Sequence, residues 1–204
     1  MNEMARTGMA AIAVVLAGVA GLAWATAGFQ ALTSETARRQ LVIRSPVDVP
    51  PAVLLDGTEL LTELADDGRV ALIDFVYTRC TTLCRSLGSE YQQAQQLIRF
   101  RGLDAKIRLL TISFDPENDD LRILSDYAAR WRADPRIWRI TTIPSRTQLS
   151  AQMKTFGIIA VPAGGGDYVH NAAIHVVTPD GSLHRIRDLG QWRQALADAL
   201  ALAH

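Results

Sequence analysis

The sequence is poor in cysteine and carries no excess of charge. Its 204 residues hold two cysteines, too few to frame a disulfide-stapled secreted fold, and a chain of this length does not need one. The 21 basic and 21 acidic residues cancel and are scattered along the chain. The electrostatic footprint of a nucleic-acid-binding protein is therefore missing, and no nucleic-acid partner is expected. No internal repeat is visible. About half the residues (49%) are apolar, enough for one sizeable core, and the length suggests one domain with additions.

Charge is also missing locally. Residues 7–34 contain no Asp, Glu, Lys or Arg, and "GMAAIAVVLAGVAGLAWATAGFQAL" is longer than the roughly 20 residues that span a bilayer as a helix. Residues 1–32 are accordingly expected to form an N-terminal transmembrane anchor. The "ATA" at 25–27, followed by Gly28, also resembles the cleavage site of a secretory signal, although the run exceeds a typical signal-peptide core. Arg6 before the span and Arg38 and Arg39 after it oppose the positive-inside pattern, but long domains translocate largely regardless of flanking charge. The expectation is a single-pass protein of the inner (cytoplasmic) membrane with its domain facing the periplasm.

Residues 33–50, "TSETARRQLVIRSPVDVP", mix charge with proline and are expected to be a tether, with a short strand at 41–43. The folded domain should occupy 51–204. "VALIDFVYT" from Val70 is a continuous apolar run rich in β-formers, and 86–100 follows with helical spacing. "AKIRLLTISF" is a second buried-strand candidate; Leu121, Leu124, Tyr127, Ala128 and Trp131 then recur at helical intervals before Pro135. The run "DPENDD" should cap that second helix. A third helix is announced by the capping box "SRTQ" at 145–148 and can end at Gly157. The glycine-rich "PAGGGDY" leads into "HNAAIHVVT", which "PDG" at 179–181 turns back into "SLHRIR"; a last helix carries Trp192, Leu196 and Leu200 on one face. Strands alternating with helices predict an α/β domain with a mixed central sheet flanked by helices. Phe75 and Tyr77, within the first buried run, should be core residues.

The two cysteines lie at the first strand–helix junction, where α/β sheets tend to place their sites. In a helical turn, Cys80 and Cys84 share a face, so one ligand can touch both sulfurs. The helix N-terminus and the flanking Arg79 and Arg85 should favour thiolates over thiols. Lone cysteines are often just small buried hydrophobes, yet burial alone does not explain why the chain's two sit together here. Two soft thiolates suit Cu(I), zinc or thiol–disulfide exchange, and spacing does not choose among these.

Of four histidines, only His170 and His175 fall in the segment entering a core strand. A zinc site would recruit both. An offset of five along a strand, however, places them on opposite faces unless the strand starts irregularly. Cu(I) accepts two or three soft ligands, so Cys80, Cys84 and one imidazole suffice. His170, emerging from the glycine-rich loop, is the freer candidate, against the plain alternative of a surface-loop histidine.

"DFVYTRCTTLC" resembles the strand and Cys-x₃-Cys signature of the SCO/SenC family, the thioredoxin-like copper proteins that assist cytochrome c oxidase assembly. "SFDPEND" is similar to the family's Ser-x-Asp-Pro loop, and "DYVH" with the "PDG" nine residues beyond His170 is similar to its metal histidine and following turn. The resemblance spans residues 70–181 in family order. It implies a thioredoxin-like fold with Cys80, Cys84 and His170 as ligands of a copper ion, Cu(I) or Cu(II). It makes Asp115 an acidic residue of the family loop, which ordinary Asp-Pro turn chemistry also explains. The chain departs from the pattern at Thr81 and Arg85, where many members carry proline after each cysteine, and at Val169, where an Asp usually precedes the metal histidine.

The resemblance implies a metal-delivery protein rather than an enzyme. One copper, held by two cysteines and a histidine, would pass to a cytochrome c oxidase subunit or another copper chaperone. Loading would be gated by the redox state of the cysteine pair, since oxidised cysteines cannot hold metal. The alternative is a membrane-tethered thiol–disulfide oxidoreductase using Cys80 and Cys84 as its catalytic redox pair, although such enzymes usually carry C-x-x-C. A third reading is a copper- or redox-sensing interaction module that transfers nothing.

Overall fold

The computed structural model describes residues 3–25, 34–66, 68–80 and 83–203. Thr26 and Ala27 of the possible cleavage motif, and Thr81, lie outside the described residues. The chain divides into two units, residues 1–44 and 45–204.

The first unit holds α1 (Glu3–Ala25) and α2 (Ser34–Arg44). Among the described residues no helix is long and apolar enough to cross a membrane; residues 26–32 of the expected anchor lie outside the described residues. The strand expected at 41–43 is part of α2. Glu35 pairs with Arg38 (3.7 Å) and Arg39 (3.1 Å) one helical turn on, and this local support outweighs the β-preference of Leu41, Val42 and Ile43.

The second unit is built on one mixed sheet. Its elements are β1 (Val47–Asp48), α3 (Leu60–Ala65), β2 (Val70–Val76), α4 (Leu83–Phe100), β3 (Ile107–Ser113), α5 (Leu121–Trp131), β4 (Trp138–Thr142), α6 (Arg146–Phe156), β5 (Ala160–Gly164), β6 (Asp167–His170), β7 (Ala173–Val177), β8 (Ser182–Asp188) and α7 (Trp192–Leu202). The six-stranded order is β1-β8-β7-β2-β3-β4; β5 and β6 form a separate antiparallel ribbon. Strands β2, β3 and β4 run parallel, and β7 joins β2 antiparallel. Every residue of β2 and β3 is buried, as expected of parallel strands covered on both faces. The mixed sheet flanked by helices is the architecture that the alternation of apolar runs predicted.

Alternation along β2 assigns its side chains to two layers. Phe75 meets Phe156 of α6 and His175 of β7, with ring centroids 5.1 and 6.0 Å away. On α4, Tyr91 is fully buried and packs against Trp138 of β4 at 5.6 Å.

The helix ends follow local chemistry. Asp120 caps α5, its carboxylate accepting from the Ile123 amide at 2.8 Å. Ser145 caps α6 and Gly157 closes it with φ +69°, but only half of the expected capping box forms. The Gln148 side chain instead accepts from the Val53 amide at 3.1 Å, tying a distant loop to α6.

Gly88 lets Trp131 of α5 lie directly on α4. A Cβ at this position would sit 2.2 Å from Trp131 Cε2 and 2.6 Å from Cζ2. Gly88→Ala should therefore destabilise the protein by about 1–3 kcal/mol, although alanine is the better helix former by roughly 1 kcal/mol. Urea denaturation of the two proteins checks this; an unchanged or raised midpoint would show that the indole moves aside freely.

Candidate metal centre

Strand β2 delivers Cys80 just past its C-terminal end, and α4 carries Cys84 in its first turn. The Cys84 amide, one of the donors without a partner inside the helix, points at Cys80 Sγ from 3.3 Å. The first sulfur thus occupies the place of an N-cap acceptor, and both thiols are held by the start of one helix. Both are buried, at 6% and 1% exposure, and they are not joined by a disulfide.

The approach to Cys80 is fixed by an acid from another loop. Asp119, wholly buried, accepts from the Thr78 amide at 3.0 Å and from the hydroxyls of Thr78 and Ser113. Within "DPENDD", then, Asp120 caps α5 while Asp119 clamps the loop that carries the first ligand. Asp115 is 4% exposed, accepts from the Asn118 side chain at 2.9 Å and pairs with Arg79 at 2.7 Å. Its observed contacts are those of a loop-holding residue.

His170 arrives at the end of β6. Its Nε2 stands 3.7 Å from Cys80 Sγ and 3.6 Å from Cys84 Sγ. Its Nδ1 lies 2.9 Å from the carbonyl oxygen of Asn171. A carbonyl can only accept, so Nδ1 carries a proton, and in the neutral imidazole the lone pair of Nε2 is turned toward the sulfurs. The rings of Tyr77 and Phe114 flank the imidazole, with centroids 5.6 and 5.3 Å away. Tyr77 is a core residue, as expected, and also a wall of the site.

Asn171 secures this arrangement. Its side chain accepts from the Ile159 amide at 2.8 Å and donates to the Gly157 carbonyl at 2.8 Å, so the residue that orients His170 is tied to the end of α6. Asn171→Ala keeps the carbonyl that accepts from His170 but removes the two side-chain tethers that position it, and should weaken metal binding up to about tenfold with Cys80, Cys84 and His170 intact. Competition against a chromophoric Cu(I) chelator checks this, and an unchanged affinity would show that His170 holds its place unaided.

His175 takes no part. It lies in β7, fully buried, with Nδ1 3.1 Å from the Ile73 carbonyl oxygen and Nε2 2.9 Å from that of Phe156. The two histidines belong to different strands, because the chain leaves the β5–β6 ribbon after His170 before joining the sheet. Four-ligand zinc coordination through both histidines is therefore not assembled.

At Cys84 the expected thiolate character is not what the surroundings favour. Burial, and then the neighbouring Cys80 thiol, push the Cys84 thiol well above its ordinary range. Arg79 is committed to Asp115, and Arg85 is exposed. A metal ion must therefore supply the charge that draws the proton off Cys84.

The ligand atoms of Cys80, Cys84 and His170 all lie within 4.8 Å of one another. Bonds of about 2.0 Å to nitrogen and 2.3 Å to sulfur, as in zinc sites, would space the ligands of a three-coordinate ion by roughly 3.7 Å, close to both sulfur–nitrogen distances here. Two sulfurs and one imidazole form a soft donor set suited to copper.

A dithiol–imidazole cluster at the end of a central strand in a mixed sheet defines a metal-binding protein on a thioredoxin-like scaffold. The sequence profile of the SCO1/SenC family matches residues 54–203, and the chain belongs to that family. The SCO1 protein homolog of Bacillus subtilis (strain 168) is 29% identical over 118 residues, covering 57% of this chain and 60% of that relative. The structure reported as identifying a disulfide switch in BsSco, a member of the Sco family of cytochrome c oxidase assembly proteins, superposes with a TM-score of 0.64 at 24% identity, covering 78% of this chain and 94% of the other. Arabidopsis thaliana ScoI with copper bound superposes with a TM-score of 0.62 at 15% identity, covering 76% and 99%. These structural likenesses establish the shared fold.

Sequence reasoning singled out the three side chains that the structure brings together but missed Asn171, Asp119 and Phe114. The capping run flagged the segment around Asp119 without distinguishing its clamping role; no local spacing marked the other two.

Proposed function

We infer that the protein is a copper metallochaperone that binds one copper ion through Cys80, Cys84 and His170 and delivers it to the copper centre of a respiratory cytochrome oxidase. The observation that carries this reading is the meeting of two thiols and an imidazole nitrogen, 3.6–3.7 Å apart, from segments some ninety positions distant. Copper in a Sco relative and the description of BsSco as an oxidase assembly protein support it. Oxidation would join the two sulfurs and withdraw both from the ligand set, so redox state gates loading; the disulfide switch described for BsSco supports this step. Delivery proceeds by ligand exchange with the recipient.

The same reading places the domain at a membrane, facing the periplasm, with residues 1–32 as its attachment. Support comes from the exposed apolar side chains of α1, among them Val14, Val15, Leu16 and Leu22.

Anaerobic titration of the reduced protein with Cu(I), followed by incubation with an apo oxidase copper subunit, tests the function. The expected results are one equivalent bound, lost when the pair is oxidised, and transfer to the recipient. Oxidation of the loaded protein to Cu(II) should give a sulfur-to-copper charge-transfer band. Absence of one-to-one binding, with disulfide exchange retained, would favour the oxidoreductase.

A further inference from the structure

A cleft of about 850 Å³ opens beside Cys80. Of the three metal ligands, Cys80 alone lines it. Three arginines converge there from different elements: Arg79 from the loop after β2, Arg85 from α4 and Arg130 from α5. Arg79 is held by Asp115. Arg85 and Arg130 are exposed and make no ion pair or hydrogen bond among the described residues. The acid on the wall, Asp126, is paired with Arg122 at 3.3 Å. The cleft thus offers two uncompensated guanidinium groups next to the one ligand that faces it, in a protein of zero net charge.

Resting on the copper-delivery reading above, we propose that this cleft is the docking surface for the partner that exchanges copper with the site, and that the partner presents its own soft ligand on an acidic segment. Charge complementarity selects the occupant: a concave wall with an excess of one sign, here three arginines against Asp126, concentrates opposite charge and raises association rates by roughly 10- to 1000-fold. Carboxylates flanking the incoming ligand would meet Arg85 and Arg130 and bring that ligand to the metal from the Cys80 side. The exchange balances without electron transfer. The bond from copper to the partner's ligand forms, the bond to Cys80 breaks, and the released thiolate takes a proton from water. Cys80, not Cys84, is the first ligand to leave.

The test uses reduced, metal-free full-length protein. Two labelled heptapeptides serve as probes, each a methionine flanked by six glutamates or by six lysines, and binding is followed by fluorescence anisotropy at low ionic strength. The glutamate peptide should bind at least about tenfold more tightly than the lysine peptide, and this preference should fade in about 0.5 M NaCl. Arg85→Glu/Arg130→Glu should reverse the preference while leaving the circular dichroism spectrum and the Cu(I) affinity unchanged. Equal binding of the two peptides, or a preference that survives the double substitution, would overturn the proposal. So would capture of a small dicarboxylate thiol with neither peptide bound, which would mark a small-molecule site. Because the peptide measurement needs no metal, an acidic preference in a protein that fails to bind copper would remove the delivery reading and leave the docking surface standing.

Discussion

Replacing His170 with alanine is expected to lower Cu(I) affinity at least about a hundredfold, a loss of roughly 2.7 kcal/mol. The substitution removes one of three donors and leaves a dithiol whose Cys84 member burial already holds in the neutral form. Stability should also fall, by about 1–3 kcal/mol, because the ring is 8% exposed and its loss leaves a gap between Tyr77 and Phe114. His170→Gln separates the two effects: it fills much of the gap without an imidazole nitrogen, so it should recover stability and not affinity. Chelator competition and thermal melts of the three proteins read out both quantities. An alanine variant with wild-type affinity would remove His170 from the site and return the cysteines to thiol–disulfide chemistry.

The fold was legible wherever local pattern and burial agree. The apolar run from Val70 is a covered strand, and the close spacing of Cys80 and Cys84 brings both sulfurs to the start of one helix. The meeting with His170 came from family resemblance, since chain spacing carries no information about two segments joined through a separate ribbon. Other features were illegible for physical reasons. Flanking arginines promised thiolates, but Arg79 is spent on Asp115 and burial dominates at Cys84. The "LVI" of α2 favoured a strand on intrinsic preference, and the Glu35 pairs one turn away reversed it. Asn171 and Asp119 act through backbone groups from distant segments, and such bonds leave no periodicity to detect.

Asp74→Asn is expected to stabilise the protein increasingly as pH rises. Asp74 sits within β2 at 1% exposure, and its Oδ1 has no hydrogen-bond partner. Burial pushes its carboxyl up to about 8, against a smaller opposing effect of the Thr111 hydroxyl. An unfolded aspartate titrates near 3.9, so between about pH 4 and pH 8 the native state keeps a proton that the unfolded chain has released. Stability must therefore fall as pH rises through this window, and the penalty is complete only above the native value. Each pH unit of difference is worth about 1.4 kcal/mol, which sets an upper bound on the order of 5 kcal/mol. Asparagine has nearly the same shape and no charge to desolvate, so its stability should lack this decline. It leaves an amide group without a full set of partners, an expense of about 1–3 kcal/mol that does not vary with pH. The variant should accordingly match or trail the wild type near pH 5 and overtake it by about pH 9. Urea denaturation across that range is the measurement, and parallel stability curves for the two proteins would show that Asp74 is charged within the native core.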